Sequence, residues 1–235
     1  SNIYIFIGFA MTFYRYGMDT ALMKFYIDED NPKSYFSSIL TLQLLTSVLL
    51  SALLIIFRFP LGSILIGNTQ TMFIIYIALI IFCDIIWNLI IITLRVEGKA
   101  INFVSFNIIN VLLLLGFTIY FVNIQGLGVK GVLLGNVYAS IIVCFLSFIL
   151  LLSRFSIKAI DLSITNKVIL FGLPFLPAAI FGIFMEGADR FILKYLMGYS
   201  AVGIYSAGYK LGILGLLVVM GFAMGWTPYF LQHNK

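Results

Sequence analysis

Charged residues are scarce in this sequence. They make up 10% of the 235 residues, whereas hydrophobic residues make up 62%. A typical soluble domain has about 25% charged and about 45–50% apolar residues, because much of its surface must face water. The composition therefore excludes an ordinary soluble domain and predicts a chain whose main solvent is lipid.

Cysteine and histidine are also scarce, and Cys83, Cys144 and His233 are their only occurrences. Both cysteines lie inside apolar runs, where a free cysteine behaves as a small hydrophobic residue. His233 belongs to no ligand motif, so we predict neither a disulfide nor a metal site. The formal net charge of +5 does not indicate nucleic-acid binding, because Lys and Arg are concentrated in short connectors between apolar runs.

Long apolar runs dominate the rest of the chain. A membrane-spanning helix needs about 20 mostly apolar residues, because the hydrocarbon core of a bilayer is about 30 Å thick. These runs do not alternate apolar and polar residues, as the strands of a membrane β-barrel do. We therefore predict an all-α fold, a polytopic transmembrane helix bundle. The seven candidate segments are Ile3–Tyr26, Tyr35–Phe57, Thr71–Leu94, Phe103–Val122, Gly131–Leu152, Val168–Met197 and Ile204–Leu231.

The basic residues of the connectors predict the orientation of the bundle. Alternate connectors lie on the same side of the membrane, and positive charge marks the cytoplasmic side. The poorly charged side holds Arg58 and Lys130, with Lys194 near its rim. The first segment should therefore end on the cytoplasmic side, so we expect a helix before it and a longer parent protein. The basic side holds Lys24, Lys33, Arg95, Lys99, Arg154, Lys158, Lys167 and Lys235.

The longest polar stretch, residues 153–167, predicts a cytoplasmic linker between two lobes. It separates residues 1–152, assigned to the first lobe, from residues 168–235, assigned to the first two helices of the second. Pro174 and Pro177 predict a kink in the first of these helices, because proline removes a backbone donor and clashes with the preceding turn.

Four cations lie inside the predicted spanning segments. Ionisable groups are costly to bury in a membrane and are therefore candidates for function. We predict that these cations line a cavity for an anionic substrate, because Arg binds phosphate through its planar fork and Lys acts as a point charge. The four cations are Arg15, Arg190, Lys194 and Lys210.

Four carboxylates accompany these cations, and two interpretations of them stay open. They are either charge partners that lock helices together or sites that couple transport to H⁺ or Na⁺. A spacing of four residues places Glu186, Arg190 and Lys194 on one helix face, and Arg15 and Asp19 on another. The four carboxylates are Asp19, Asp84, Glu186 and Asp189.

Three stretches of the sequence carry a family resemblance. They are residues 16–26, which begin Tyr16-Gly17-Met18-Asp19; residues 171–177, Phe-Gly-Leu-Pro-Phe-Leu-Pro; and residues 188–194, which begin Ala188-Asp189-Arg190, together with residues 202–212. They resemble, in turn, the end of the second helix, the opening of the seventh helix and the seventh-to-eighth helix region of Wzx-type polysaccharide flippases. These flippases belong to the multidrug/oligosaccharidyl-lipid/polysaccharide (MOP) exporter superfamily. The resemblance covers the chain as helices two to eight of a two-lobed fold.

This resemblance implies a function. Such flippases move an undecaprenyl-pyrophosphate-linked oligosaccharide across the bacterial inner membrane by alternating access, for cell-surface polysaccharides such as the O-antigen of lipopolysaccharide. The implied partners are the bilayer, the anionic lipid-linked oligosaccharide and other polysaccharide assembly proteins. No nucleic acid and no cofactor beyond a coupling ion is expected.

Two other functions stay open. A cation-coupled multidrug antiporter of the same superfamily would have a cavity dominated by carboxylates rather than by cations. A membrane-embedded glycosyltransferase or polymerase would need a large extramembrane loop, or paired carboxylates at the membrane interface. No connector is longer than residues 153–167, so we predict a transporter with no catalytic residues rather than an enzyme.

Overall fold

The structure, a computed structural model, describes residues 2–28, 31–65 and 71–233. These residues form α-helices, one π-helical segment (Tyr120–Ile124) and one 3-10 turn (Ile157–Ala159), with no strand among them. The helices are α1 (Asn2–Arg15), α2 (Met18–Asp28), α3 (Pro32–Ile56), α4 (Arg58–Leu65), α5 (Met72–Val96), α6 (Ala100–Ile119), α7 (Gly128–Leu152), α8 (Leu162–Gly172) and α9 (Phe175–His233).

Within the described ranges, five helical segments are long and apolar enough to cross a membrane. Three of them are α3, α5 and α7, and the other two are residues 100–124 and 162–185. This confirms the predicted fold class, an all-α polytopic membrane bundle. The connector after α3 contains the short helix α4, residues 58–65.

The first predicted spanning segment is not one continuous helix. The chain divides it into α1, with 14 residues, and α2, with 11 residues. The break occurs where Tyr16 has a φ of 28° and Gly17 a φ of 79°. Left-handed backbone of this kind cannot continue a right-handed helix.

The described chain forms two compact units, Ser1–Leu173 and Pro174–Lys235. In the second unit α9 has helical backbone except at Gly198, where φ is 80° and ψ is −178°. This break follows directly after the predicted end of the sixth segment. Pro174 lies in the turn before α9, and Pro177 lies in the first turn of α9, where a missing N–H interrupts no helical hydrogen bond.

The predicted linker, residues 153–167, lies wholly inside the first unit. Asp161 caps α8 by accepting a hydrogen bond from the backbone N–H of Ser163 at 2.8 Å, and this bond lowers the pKa of the Asp161 carboxyl. Two buried serines of α3 hold the stretch in place: the backbone N–H of Ser156 donates to Ser37 Oγ, and that of Asp161 donates to Ser38 Oγ, each at 3.1 Å. That residues 153–167 join two lobes stays a prediction.

Helix α5 lies at the centre of the first unit and packs against α1, α2, α3, α4, α6 and α7. One of its faces contacts Ala10 and Tyr14 of α1, and another contacts Leu133 and Val137 of α7. By contrast, α6 has no buried residue. The fully buried isoleucines of the α1-facing side of α5 are Ile74, Ile77, Ile81 and Ile85.

Helices α6 and α7 pack closely where α7 carries glycine. A Cβ atom added at Gly135 would lie 2.8 Å from the backbone nitrogen of Thr118, and one added at Gly131 would lie 2.9 Å from the carbonyl oxygen of Phe121. Small residues four apart allow helix backbones in membranes to approach in this way.

We expect Gly135→Val to push α6 away from α7 and to destabilise the first unit by about 1–3 kcal/mol, as overpacking does. The measurement is the unfolding temperature of the purified protein in detergent. Gly116→Val on α6 is the matched control, because an added Cβ there meets no atom within 4 Å. An equal loss in both variants would mean that helix propensity, and not the α6–α7 contact, causes the effect.

Four side chains form a hydrogen-bonded cluster at one end of the first unit. This Glu97 cluster consists of Tyr26, Glu97, Lys99 and Arg154. Arg154 donates Nε to Glu97 Oε1 at 2.9 Å and Nη2 to Glu97 Oε2 at 2.7 Å. The Tyr26 hydroxyl donates to Oε1 at 2.8 Å, and Lys99 Nζ lies 2.8 Å from Oε2. Connectors that the charge pattern assigns to one side of the membrane therefore meet at this end.

Candidate functional site

A polar cluster lies among the apolar helices of the first unit, around the break between α1 and α2. Arg15 ends α1 and Asp19 begins α2, and Arg15 Nη1 lies 3.6 Å from Asp19 Oδ2. The two side chains are 38% and 25% exposed. This is the neutralising pair at a spacing of four that the sequence predicts, although the helix between its members is interrupted.

The cluster extends through α5 to α7. Asn88 Nδ2 on α5 donates to Asp19 Oδ1 at 2.8 Å. One turn earlier on α5, Asp84 Oδ1 accepts a hydrogen bond from Ser140 Oγ of α7 at 2.7 Å. Asp84 and Asn88 are four residues apart and therefore lie on one face of α5. Through this face α5 is hydrogen-bonded to Asp19 of α2 and to Ser140 of α7.

The charges of this cluster interact with one another. Arg15 acts electrostatically on both Asp19 and Asp84, and Arg95 acts on Asp19. Two cations and two carboxylates therefore compensate each other. Among these four residues the cations and the carboxylates are equal in number, so this cluster has no excess of positive charge.

Arg15 has hydrogen-bonding capacity that its protein partners do not use. Its Nε is buried and has no partner among the described residues, and within the described part of the chain its guanidinium forms one ion pair, the long contact with Asp19. A guanidinium of this kind can take a further anionic oxygen through its planar set of N–H groups.

Sequence reasoning missed the polar residues of α3 that lie beside α1. Gln43 is fully buried and donates Nε2 to the backbone oxygen of Tyr14 at 3.4 Å, while its Oε1 has no partner among the described atoms. Ser47, one turn later, is also buried, and its Oγ has no hydrogen-bond partner among the described atoms. The recurrence of polar residues four apart on an apolar helix is the signal that could have found them.

A family model described as polysaccharide biosynthesis protein matches residues 1–233 of the chain. The chain belongs to this polysaccharide biosynthesis family. No curated protein and no solved structure was found to match the chain. Membership in the polysaccharide biosynthesis family, together with the apolar helices, indicates a multi-pass membrane protein of the transporter type that serves polysaccharide synthesis. The resemblance to polysaccharide exporters is confirmed at this level, and the Wzx-type assignment stays a prediction.

The second unit of this polysaccharide biosynthesis protein contributes one described candidate, Asp189. Its side chain is exposed, and its Oδ2 accepts a hydrogen bond from the Tyr205 hydroxyl at 2.8 Å. The other predicted residues of α9 lie outside the described side chains, so their roles stay predictions. These residues are Glu186, Arg190, Lys194 and Lys210.

Proposed function

We propose that the protein translocates an undecaprenyl-pyrophosphate-linked oligosaccharide across the bacterial inner membrane by alternating access. In this proposal Arg15 binds the pyrophosphate, and substrate binding by Arg190, Lys194 and Lys210 stays a separate prediction for the second unit. Membership in the polysaccharide biosynthesis family supports the substrate class. The buried Nε of Arg15 supports the anionic head group, because an anionic oxygen is the acceptor that this donor lacks among the described residues.

The observation that carries the proposal is the incomplete pairing of Arg15. Its ion pair with Asp19 is 3.6 Å long, and its buried Nε has no partner among the described residues. A bound phosphate oxygen would satisfy this donor and shorten the contacts that Arg15 makes. Asp19, held by Asn88 at 2.8 Å, would keep the guanidinium in place while the substrate is absent.

Asp84 favours a second candidate function, cation-coupled drug antiport. Its carboxylate lies within the bundle and accepts its hydrogen bond from Ser140, and Arg15 is the cation that acts on it. A membrane carboxylate with so few partners can take up H⁺ or Na⁺. In the flippase this ion would couple to lipid translocation, whereas in an antiporter it would couple to drug efflux.

We expect Arg15→Gln to reduce translocation of a pyrophosphate-linked glycolipid in liposomes by about tenfold to a hundredfold, as the loss of a charged hydrogen bond does. Arg58→Gln is the matched control, because Arg58 begins α4 and contacts Phe59 outside the polar cluster. Both variants must keep the wild-type unfolding temperature in detergent. Normal translocation by a folded Arg15→Gln protein would contradict the proposal, and cation-driven drug efflux by the same liposomes would then favour the antiporter.

A further inference from the structure

A basic pocket lies at the end of the first unit that holds the Glu97 cluster. Its volume is about 250 Å³, and it is formed where α2, α5 and α7 end and where α3 and α6 begin. None of its lining residues belongs to the polar cluster around Arg15. The lining residues are Tyr26, Lys33, Phe36, Glu97, Lys99, Ser153 and Arg154.

Glu97 is the single described carboxylate of this pocket, and its oxygens already accept hydrogen bonds from protein side chains. Both oxygens of Glu97 accept hydrogen bonds from Arg154, and Tyr26 adds a third bond. Arg154 therefore neutralises Glu97, and the charges of the two lysines remain. Lys99 contacts Glu97 at 2.8 Å but is 51% exposed, so its ammonium has donors to spare. Lys33 is exposed and has no ion-pair partner in the described ranges.

Two helix amino termini add to this positive potential. α3 begins at Pro32 and α6 begins at Ala100, each directly beside a lysine of the pocket. The residues at their caps, Asn31 and Lys99, make no side-chain capping hydrogen bond. Pro32 has no N–H, and the N–H groups of Ser34 and Ala100 donate to the carbonyl oxygens of Asn31 and Gly98, so the two termini contribute the positive ends of their helix dipoles, which favour a bound anion.

We propose that this pocket binds the phosphate of an anionic membrane lipid. The ends of the apolar helices α3, α5 and α7 place it at the level of the membrane where lipid phosphates lie. Basic pockets between transmembrane helices on the cytoplasmic side hold anionic head groups in this way. The volume is several times the roughly 30 Å³ of a water molecule, so it accommodates a phosphate with its ester oxygens.

The test is native mass spectrometry of the purified protein in detergent, titrated with phosphatidylglycerol or with phosphatidylcholine. The pocket variant is Lys33→Gln/Lys99→Gln. The control variant is Lys130→Gln/Lys158→Gln, which removes the same charge from exposed lysines that do not line the pocket. We expect phosphatidylglycerol binding about tenfold weaker in the pocket variant and unchanged in the control. Asp28, Glu29 and Asp30, whose side chains lie outside the described ones, are left intact in both variants.

Three results would overturn the proposal. They are unchanged binding by the pocket variant, equal weakening in the control variant, and a wild-type preference for phosphatidylcholine. A further arm adds excess inorganic phosphate, and displacement of phosphatidylglycerol by it would assign the pocket to a free anion instead of a lipid. If the double variant unfolds, Lys33→Gln alone replaces it as the pocket variant, because Lys33 has no ion pair to lose among the side chains that the structure describes.

Discussion

Alanine at position 17 should leave little folded protein. Gly17 has a φ of 79°, and an added Cβ would lie 2.0 Å from the carbonyl oxygen of Gly172 at the end of α8. The left-handed backbone costs a residue with a side chain about 1–2 kcal/mol, and the overlap with a backbone atom adds about 1–3 kcal/mol. We expect Gly17→Ala to lower the unfolding temperature sharply or to abolish the monodisperse peak in fluorescence-detected size-exclusion chromatography.

Gly98→Ala separates the two causes. Gly98 has a similar φ of 69°, but an added Cβ there meets no atom within 4 Å. This variant should therefore show the cost of the backbone conformation alone and remain folded. If the two variants lose the same stability, the contact between Gly17 and Gly172 contributes nothing and the expectation is wrong.

Arg154→Met should destabilise the first unit by about 3 kcal/mol or more. Arg154 and Glu97 are only 15% and 16% exposed, and removal of Arg154 leaves the largely buried Glu97 carboxylate with the half-exposed Lys99 and the Tyr26 hydroxyl as its remaining described partners. Thermal unfolding in detergent at neutral pH measures the loss. Arg154→Met/Glu97→Leu is the matched variant, and it should regain most of the stability because no unpaired charge remains. A double variant as unstable as Arg154→Met would show that packing, and not charge, causes the loss.

The same pair predicts a dependence on pH. The hydrogen bonds from Arg154 are the main cause that lowers the pKa of Glu97 from 4.5 to about 2. A lowered pKa stabilises the fold fully above 4.5, and this contribution is lost as the pH falls from 4.5 through about 2. In Arg154→Met the main cause of the lowered pKa is gone and only the hydrogen bonds from Lys99 and Tyr26 still lower it, so acid should remove a smaller contribution than in the wild type. Unfolding temperatures measured down to pH 3 test the difference.

Hydropathy predicts which segments can cross a membrane, but it does not predict which of them are buried by protein. α5 and α6 are both strongly apolar, with mean hydropathies of 2.6 and 2.0 over their spanning windows. Nevertheless α5 forms the core of the first unit and α6 has no buried residue. Lipid and protein interior are equally favourable to an apolar side chain, so composition cannot distinguish the two positions.

The sequence likewise predicts only part of the candidate site, because packing determines the rest. The structure contains the Arg15–Asp19 pair, which is one of the two interpretations open for Asp19, but the break at Tyr16 and Gly17 means that the continuous helix assumed for the spacing of four is absent. The partners of Asp84 and Asp19, Ser140 and Asn88, come from other helices, and their contacts depend on helix rotation that packing determines. The break at Gly17 depends on Gly172, far along the chain, and no local pattern distinguishes Gly17 from Gly116, which stays helical.

The contact between Gly17 and Gly172 also bears on the order in which the protein is made. Gly17 is synthesised near the start of the first unit, and Gly172 is its second-last residue. A chain is synthesised from its amino terminus, so α1 and α2 enter the membrane long before α8 exists. Until α8 leaves the ribosome, the bend at Gly17 cannot pack against the backbone of Gly172. The contact between the bend and α8 can therefore form only when the synthesis of the first unit is almost complete.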